Sequence, residues 1–182
     1  RPVRLICHEG GLRDLLAQIS VQRLDMVIAD EPMARHLNVK AFNHALGSTA
    51  MSFFATPALK ARLPRGFPRC LDGAPLLLQG AASAMRQRLD VWLAQHRLHP
   101  QAVGEFDDAA LMKAFGAEGR GAFMSPTVLE AETCAQYGVR VLGRGRYAPR
   151  HGEVAVQFGR LGAKSKTSWL AAQQLDVVGH MV

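Results

Sequence analysis

Leu12, Leu15, Leu16 and Ile19 recur at helical spacing, and shortly after them Met26–Ala29 is an unbroken apolar run. The first pattern gives a helix one apolar face; the second suits a parallel strand buried on both sides. Ahead of the helix, Val3–Cys7 is a short apolar stretch closed by the turn His8-Glu9-Gly10-Gly11. A strand, a crossover helix and a second strand within about thirty residues make the unit from which parallel sheets are built.

The alternation continues along the chain. Strands are expected at Val39–Leu46 and Ala50–Ala55, then a short helix over Ala58–Leu63, with Thr56 as its N-cap and Pro57 in its first turn. Pro64, Gly66, Pro68, Gly73 and Pro75 crowd the next stretch and mark a linker. Further strands are expected at Leu76–Gln79, Ala102–Phe106, Gly121–Met124, Val139–Leu142 and Glu153–Phe158. The helices between them run from Ser83 to His96, from an Asp107 cap through Leu111, Met112 and Phe115, and from Ser125-Pro126 to Tyr137. The expected class is α/β.

Of the 182 residues, 48% are hydrophobic and 20% charged, which supports a packed core and excludes disorder, collagen and coiled coil. Lys and Arg exceed Asp and Glu by 22 to 15, a net charge of +7. Such an excess suits nucleic acid or an acidic partner, but more commonly it is a solvated face. The longest uncharged stretch, Ala41–Leu59, carries Asn43, His44, Ser48, Thr49 and Ser52, too many polar groups for a membrane span. No signal-peptide pattern is present, although a chain opening on Arg1 leaves the question of a leader undecided. Cys7, Cys70 and Cys134 are dispersed and lack a CxxC pair, so a disulfide framework is not expected and a reducing, cytoplasmic setting is.

Gly116, Gly119 and Gly121 follow a helix and open a strand, the reverse of a dinucleotide-binding glycine loop, so they read as a helix end and tight turn. His96 and His99 lack a second converging pair, which leaves any metal unassigned. Ser125 lacks the Gly-x-Ser-x-Gly elbow of a nucleophile, and no cofactor or catalytic set emerges. Arg140, Arg144, Arg146 and Arg150 either track a phosphate backbone or form a solvated loop. With Tyr147 the one aromatic among them, the loop is favoured. The candidate ligand residues are Gly80, Ala81, Ser83, Met124, Ser125 and Asp30, all at expected strand ends, where open α/β sheets bind ligands. Helix starts at Ser83 and Ser125 would suit an anion; Asp30, Glu31 or carbonyls would suit a hard cation.

Glu9-Gly10, Leu15-Leu16, Leu24–Pro32, Leu71–Gln79 and Gly104–Phe115 leading into Gly119-Arg120-Gly121 resemble the effector-binding domain of LysR-type transcriptional regulators. Tyr137-Gly138-Val139 through Leu142-Gly143-Arg144 is most similar to a subgroup of sodium-responsive activators of sodium/proton antiporter genes. The resemblance spans residues 3–158 and weakens over 159–182. It implies two Rossmann-like lobes of the periplasmic-binding-protein type 2 kind. Lobe one would hold 1–70 with a return over 154–182, and lobe two 71–153. The family's first effector-domain strand and helix are expected ahead of Arg1, as is its winged helix-turn-helix, so this chain is not expected to read DNA itself. An effector, a small molecule or an ion, is expected in the cleft between lobes, with no enzymatic activity, no membrane partner and RNA polymerase as a further partner of the whole regulator. The resemblance also implies a homo-oligomer in which helix Leu12–Ile19 of one chain meets the Met85–Gln95 helix of another, with an exposed Trp92 beside Arg86 as anchor. The alternatives are an extracytoplasmic solute-binding protein with the same lobes and a small α/β enzyme, the latter disfavoured by the missing catalytic set.

Overall fold

The computed structural model describes residue 4 and residues 6–29, 42–145 and 153–158. The chain divides into two compact units, residues 1–47 with 153–181, and residues 48–152. The first division falls at 47/48 rather than at 70. The reason is the strand after it: among the described residues, Met51–Ala55 pairs within the second unit. The Pro- and Gly-rich stretch near 64–75 links a helix to a strand inside that unit.

In the first unit, helix α1 (Leu12–Ser20) buries Leu16 and Ile19 and leaves Arg13 and Asp14 exposed. It packs against strand β1 (Met26–Ala29). The sheet order is β1-β8-β2, with β2 at Phe42–Ser48 and β8 at Glu153–Phe158. β1 runs antiparallel to β8, Val27 facing Gln157, and only Val27 of its four residues is buried. The expected doubly buried parallel strand is therefore corrected, because the partner comes from the far end of the sequence. The described residues 6 and 7 of the expected Val3–Cys7 strand are not in a strand, and Trp169–Leu175 lies outside the described residues.

The second unit is built on β3 (Met51–Ala55), β4 (Pro75–Gln79), β5 (Gln101–Phe106), β6 (Phe123–Pro126) and β7 (Arg140–Gly145). β3 lies between β6 and β7, antiparallel to both. β4 is parallel to β5. A parallel bridge between Leu76 and Ala122 joins β4 to the start of β6: Leu77 N–H donates to the Ala122 carbonyl at 2.8 Å, and Ala122 N–H to that of Pro75 at 2.8 Å. The strands thus run in the order β5-β4-β6-β3-β7.

Local chemistry explains the helices that cover them. Helix α2 (Pro57–Arg62) starts at Thr56, whose hydroxyl accepts from Leu59 N–H at 3.2 Å, with proline at the first position. Ser83 caps helix α3 (Ala84–His96), which ends with Arg97 in the left-handed region. Helix α4 (Ala109–Ala117) is capped by Asp108, not by the expected Asp107, because the Asp108 carboxylate accepts from both Ala110 and Leu111 N–H. The expected helix from Ser125 begins later, as helix α5 (Glu130–Tyr137) after a single 3-10 turn at Thr127–Leu129. Ser125 and Pro126 instead end β6, where they pair with Ser52 and Met51. A strand end tolerates proline.

Side chains alternate between two apolar layers. Phe53, Leu76, Leu78 and Met124 meet α2 and α3 through Leu59, Leu89 and Trp92. Phe54, Leu77 and Phe123 meet α4 and α5 through Met112, Cys134 and Tyr137. Trp92 stacks on Phe53 at 5.6 Å and on Phe67 at 5.9 Å between ring centroids, and its residue exposure is 5%. It is therefore core, and the expected exposed anchor is corrected: α3 turns this apolar face inward. Gly116 lies inside α4, where a Cβ would come within 2.1 Å of the Phe123 ring, so its role is packing rather than closing the helix. Gly119, with φ +73, makes the turn that follows.

Candidate functional site

β4 and β6 are parallel neighbours, so their C-terminal ends lie at one end of the second unit's sheet. That end carries Gly80, Ala81 and Ser83 after β4, and Met124 and Ser125 in β6. It is also where β3 begins and β7 ends. Asp30 lies outside the described residues, as does Glu31.

The turn after β4 is largely satisfied from within. Gly80 N–H donates to the Phe106 carbonyl at 2.9 Å, and Ser83 N–H to the Gly80 carbonyl at 2.9 Å. The Ser83 hydroxyl donates to Gln79 Oε1 at 2.8 Å while accepting from Met85 N–H at 3.2 Å. Asp107 presses against the turn closely enough that a Cβ on Gly80 would stand 2.1 Å from its Oδ1. Arg86 binds the Gln79 carbonyl at 3.1 Å and Glu105 at 3.0 Å, and pairs with Asp90. Burial opposes its charge, but the bonds to Glu105 and Asp90 prevail and raise its pKa. Ala81 is exposed. With a carboxylate already beside the turn, an anion at the start of α3 meets repulsion as well as the helix dipole.

The other half of this end is a polar layer in an otherwise apolar face. Phe54 and Phe123 are paired across β3 and β6, and Val141 faces Phe54 from β7. One pleat further on, the same register sets Ser52 opposite Ser125 on one side and Arg144 on the other. Cross-strand partners share a face of the sheet, with Cβ atoms about 5 Å apart. Ser52 is fully buried; its hydroxyl contacts Thr127 Oγ1 at 2.9 Å and donates to the Glu130 carboxylate. Arg144 grips the same carboxylate through two bonds, at 2.8 and 2.7 Å. The bonds from Arg144 lower the Glu130 pKa to about 2, with Ser52 assisting and burial opposing.

Two further bonds fix the loop that holds these groups: Thr127 N–H donates to the Ala50 carbonyl at 2.8 Å, and Val128 N–H to Thr49 Oγ1 at 3.4 Å. The Ser125 hydroxyl is buried, its residue 1% exposed, and it has no hydrogen-bond partner among the described residues. A buried hydroxyl left unpaired costs about 1–3 kcal/mol, so its oxygen calls for a partner such as an ordered water or a ligand.

The candidates therefore separate. Ser125 faces the polar layer; Met124, one residue earlier, points to the opposite face and is core. Ser83 is a cap, and Gly80 keeps its amide for the sheet. Arg144 belongs to β7 and is ion-paired, not part of an unpaired loop; Arg146 and Arg150 lie outside the described residues. Sequence reasoning missed Ser52, Thr127 and Glu130. The signal was a serine inside each of two apolar runs, Met51–Ala55 and Ala122–Met124 with Ser125. Among the described residues no cluster of three His, Cys, Asp or Glu side chains is arranged to hold a metal, and no helix is long and apolar enough to cross a membrane.

Residues 2–176 match the family model described as the LysR substrate binding domain. The transcriptional activator protein NhaR of Escherichia coli (strain K12) is 36% identical over 143 residues, as is that of Shigella flexneri. The match covers 79% of this chain and 46% of NhaR, so the chain spans under half the length of these curated relatives. Among solved structures, the effector binding domain of QuiR in complex with shikimate superposes with a TM-score of 0.61 at 14% identity, over 85% of this chain and 70% of that one. The regulatory domain of CcmR from Synechocystis, in complex with 2-PG, gives 0.64 at 12% identity, over 89% and 78%. The apo regulatory domain of HypT from Salmonella typhimurium gives 0.62 at 16% identity, over 92% and 79%. At these identities the solved structures show the shared α/β fold, and the curated relatives are regulators of transcription rather than enzymes. The chain belongs to the LysR substrate-binding-domain family.

Proposed function

We propose that this chain is the effector-sensing domain of a LysR-type transcriptional activator. It takes a small molecule or ion at the polar end of the second unit's sheet and thereby modulates DNA-dependent transcription, with sodium/proton antiporter genes as targets. The observation that carries the reading is the Ser125 hydroxyl, buried, without a hydrogen-bond partner among the described residues, and on a residue in register with Ser52, whose hydroxyl bonds Glu130. Family membership supplies the regulatory context, and the ligands named for QuiR and CcmR support a small effector. Kinship to NhaR supports activation and the antiporter targets. DNA is read by a separate helix-turn-helix domain of a cytoplasmic homo-oligomer that engages RNA polymerase. This chain alone therefore binds DNA only through phosphate neutralisation, weakly and with steep salt dependence.

The test is a reporter driven by an antiporter-gene promoter, in cells carrying the full-length regulator. Sodium or another inducer raises expression with the wild type, and Ser125→Ala blunts the response while the protein level is unchanged. A promoter that ignores the regulator under every inducer tried, or a full response from Ser125→Ala, overturns the reading.

A further inference from the structure

The end of the second unit's sheet opposite the polar layer is where β3 stops and where β4, β5, β6 and β7 start. It is strongly basic. Lys60, Arg62, Arg65 and Arg69 fall within ten residues on α2 and the loop after it, and all four are exposed. Arg97, Arg120 and Arg140, exposed as well, stand at the entries to β5, β6 and β7. The fold joins the two groups. Ala55 faces Arg140 across β3 and β7, and Lys60 Nζ donates to the Val141 carbonyl at 2.8 Å. A Cβ on Gly119 would lie 3.3 Å from Thr56 Oγ1, so the turn with Arg120 rests against the start of α2. Gly73 N–H donates to the His99 carbonyl at 3.1 Å, which ties the loop of Arg69 to the turn of Arg97.

The negative charge lies elsewhere. Among the described residues Asp72 and Glu118 are the carboxylates at this end, and Asp72 accepts from His99 N–H at 2.8 Å. Glu105, Asp107, Asp108 and Glu130 lie toward the other end, where Arg86 and Arg144 are ion-paired. None of the cations at the basic end has an ion-pair partner among the described residues. The dipole at a helix C-terminus favours a nearby cation, which accounts for Arg62, Arg97 or Arg120 taken singly. It does not account for their gathering along one edge without carboxylates to answer them.

We propose that this basic edge is a docking surface for the phosphate backbone of duplex DNA. All its cations but Lys60 are arginines, whose forked guanidinium matches phosphate oxygens. An acidic protein face would call for an apolar or aromatic anchor at its centre. None of the exposed large apolar side chains among the described residues belongs to α2, to the loop after it or to the three strand entries. No exposed Phe, Tyr or Trp stands there to stack on unpaired bases either, which disfavours single strands. Five strands about 4.8 Å apart make an edge about 20 Å wide. Over that length duplex DNA carries about 12 phosphates, of which about four to six face one side. The surface gives a place to the phosphate-driven DNA binding proposed above and rests on that reading for its regulatory setting; no group of the polar layer takes part.

Binding of this chain to a short fluorescent duplex of arbitrary sequence is followed by anisotropy at increasing potassium chloride. The expected result is an affinity that falls with salt at a log–log slope of about −4 and is the same for unrelated sequences. Replacing Arg62, Arg65 and Arg69 together by glutamine weakens binding at least tenfold at low salt and flattens the slope by about 3. Replacing Arg4, Arg13 and Arg23 by glutamine removes as much charge from exposed positions of the first unit and leaves both values near wild type. All six positions are exposed, so both variants fold, and an unchanged Tm confirms it. Absence of binding at the lowest salt, or equal losses in the two triple variants, overturns the surface. Polyglutamate that competes as well as the duplex, charge for charge, assigns the edge to an acidic protein and overturns it too, as does tighter binding of the single strand. None of these results touches the reporter response of Ser125→Ala, which tests the effector reading.

Discussion

Replacing Glu130 by glutamine isolates the charge at the centre of the polar layer. The side chain keeps its shape and an oxygen for Ser52, but loses the negative charge that Arg144 grips. Lowering the Glu130 pKa from 4.5 to about 2 corresponds to about 3 kcal/mol if expressed in full as stability. Arg144 is 64% exposed, so screening by water leaves about 1 kcal/mol.

The sign follows from the direction of the shift. A carboxyl whose folded pKa is depressed stabilises the fold above its unfolded value, and that stabilisation is lost as pH falls through the folded one. The wild type should therefore exceed Glu130→Gln by about 1 kcal/mol at pH 7, with the gap closing between pH 4.5 and about 2. Urea unfolding by circular dichroism at pH 7, 5, 4 and 3 reads the gap as a midpoint difference of about 0.5 M at neutral pH. A carbon-detected titration of the Glu130 carboxyl reads the pKa itself. A midpoint gap that stays constant with pH, or a carboxyl titrating near 4.5, would refute the account of this pair.

Two glycines with equally close neighbours should behave differently. A Cβ on Gly116 meets the fully buried Phe123 ring at 2.1 Å, so Gly116→Ala should cost about 1–3 kcal/mol despite alanine's better helix propensity. A Cβ on Gly80 meets the exposed Asp107 carboxylate at the same distance, which can rotate away, so Gly80→Ala should cost under about 1 kcal/mol; chemical denaturation of the two variants side by side checks both. Trp92→Ala should cost about 3–5 kcal/mol without changing the sedimentation coefficient of the folded protein, because Trp92 fills the core rather than an interface.

Local signals were legible because their causes are local. Thr56 and Ser83 cap the helices that follow them because a hydroxyl needs only an amide two or three residues away. The spacing of Leu16 and Ile19 found the buried face of α1 for the same reason. What failed depended on distant partners. β1 was expected in a parallel pair, but its partner β8 lies at the other end of the described sequence. The boundary near 70 rested on Pro and Gly density, which marks a turn, whereas the division at 47/48 depends on β3 joining β6 and β7. At the candidate site, the sequence reads Ser125 as a helix start, whereas it lies at the end of a strand. Ser52 and Glu130 are 78 positions apart, and only strand register brings them together.

The register also accounts for where the polar layer lies. β3 is sandwiched between two antiparallel partners, so each pleat repeats the character of its three strands across the sheet. Phe54, Phe123 and Val141 make one apolar layer, and the next layer holds Ser52, Ser125 and Arg144. A valine at position 125 would bury a methyl group where the hydroxyl is unpaired, and apolar replacement of an unsatisfied polar group is neutral or stabilising. Packing alone therefore gives no reason for a hydroxyl there. Sites where local rules are broken at a cost to stability are those expected to carry function, and this one lies at the sheet end reached by the C-termini of β4 and β6. Stability is concentrated in the aromatic layer, and the proposed effector site lies one pleat away, on the same three strands.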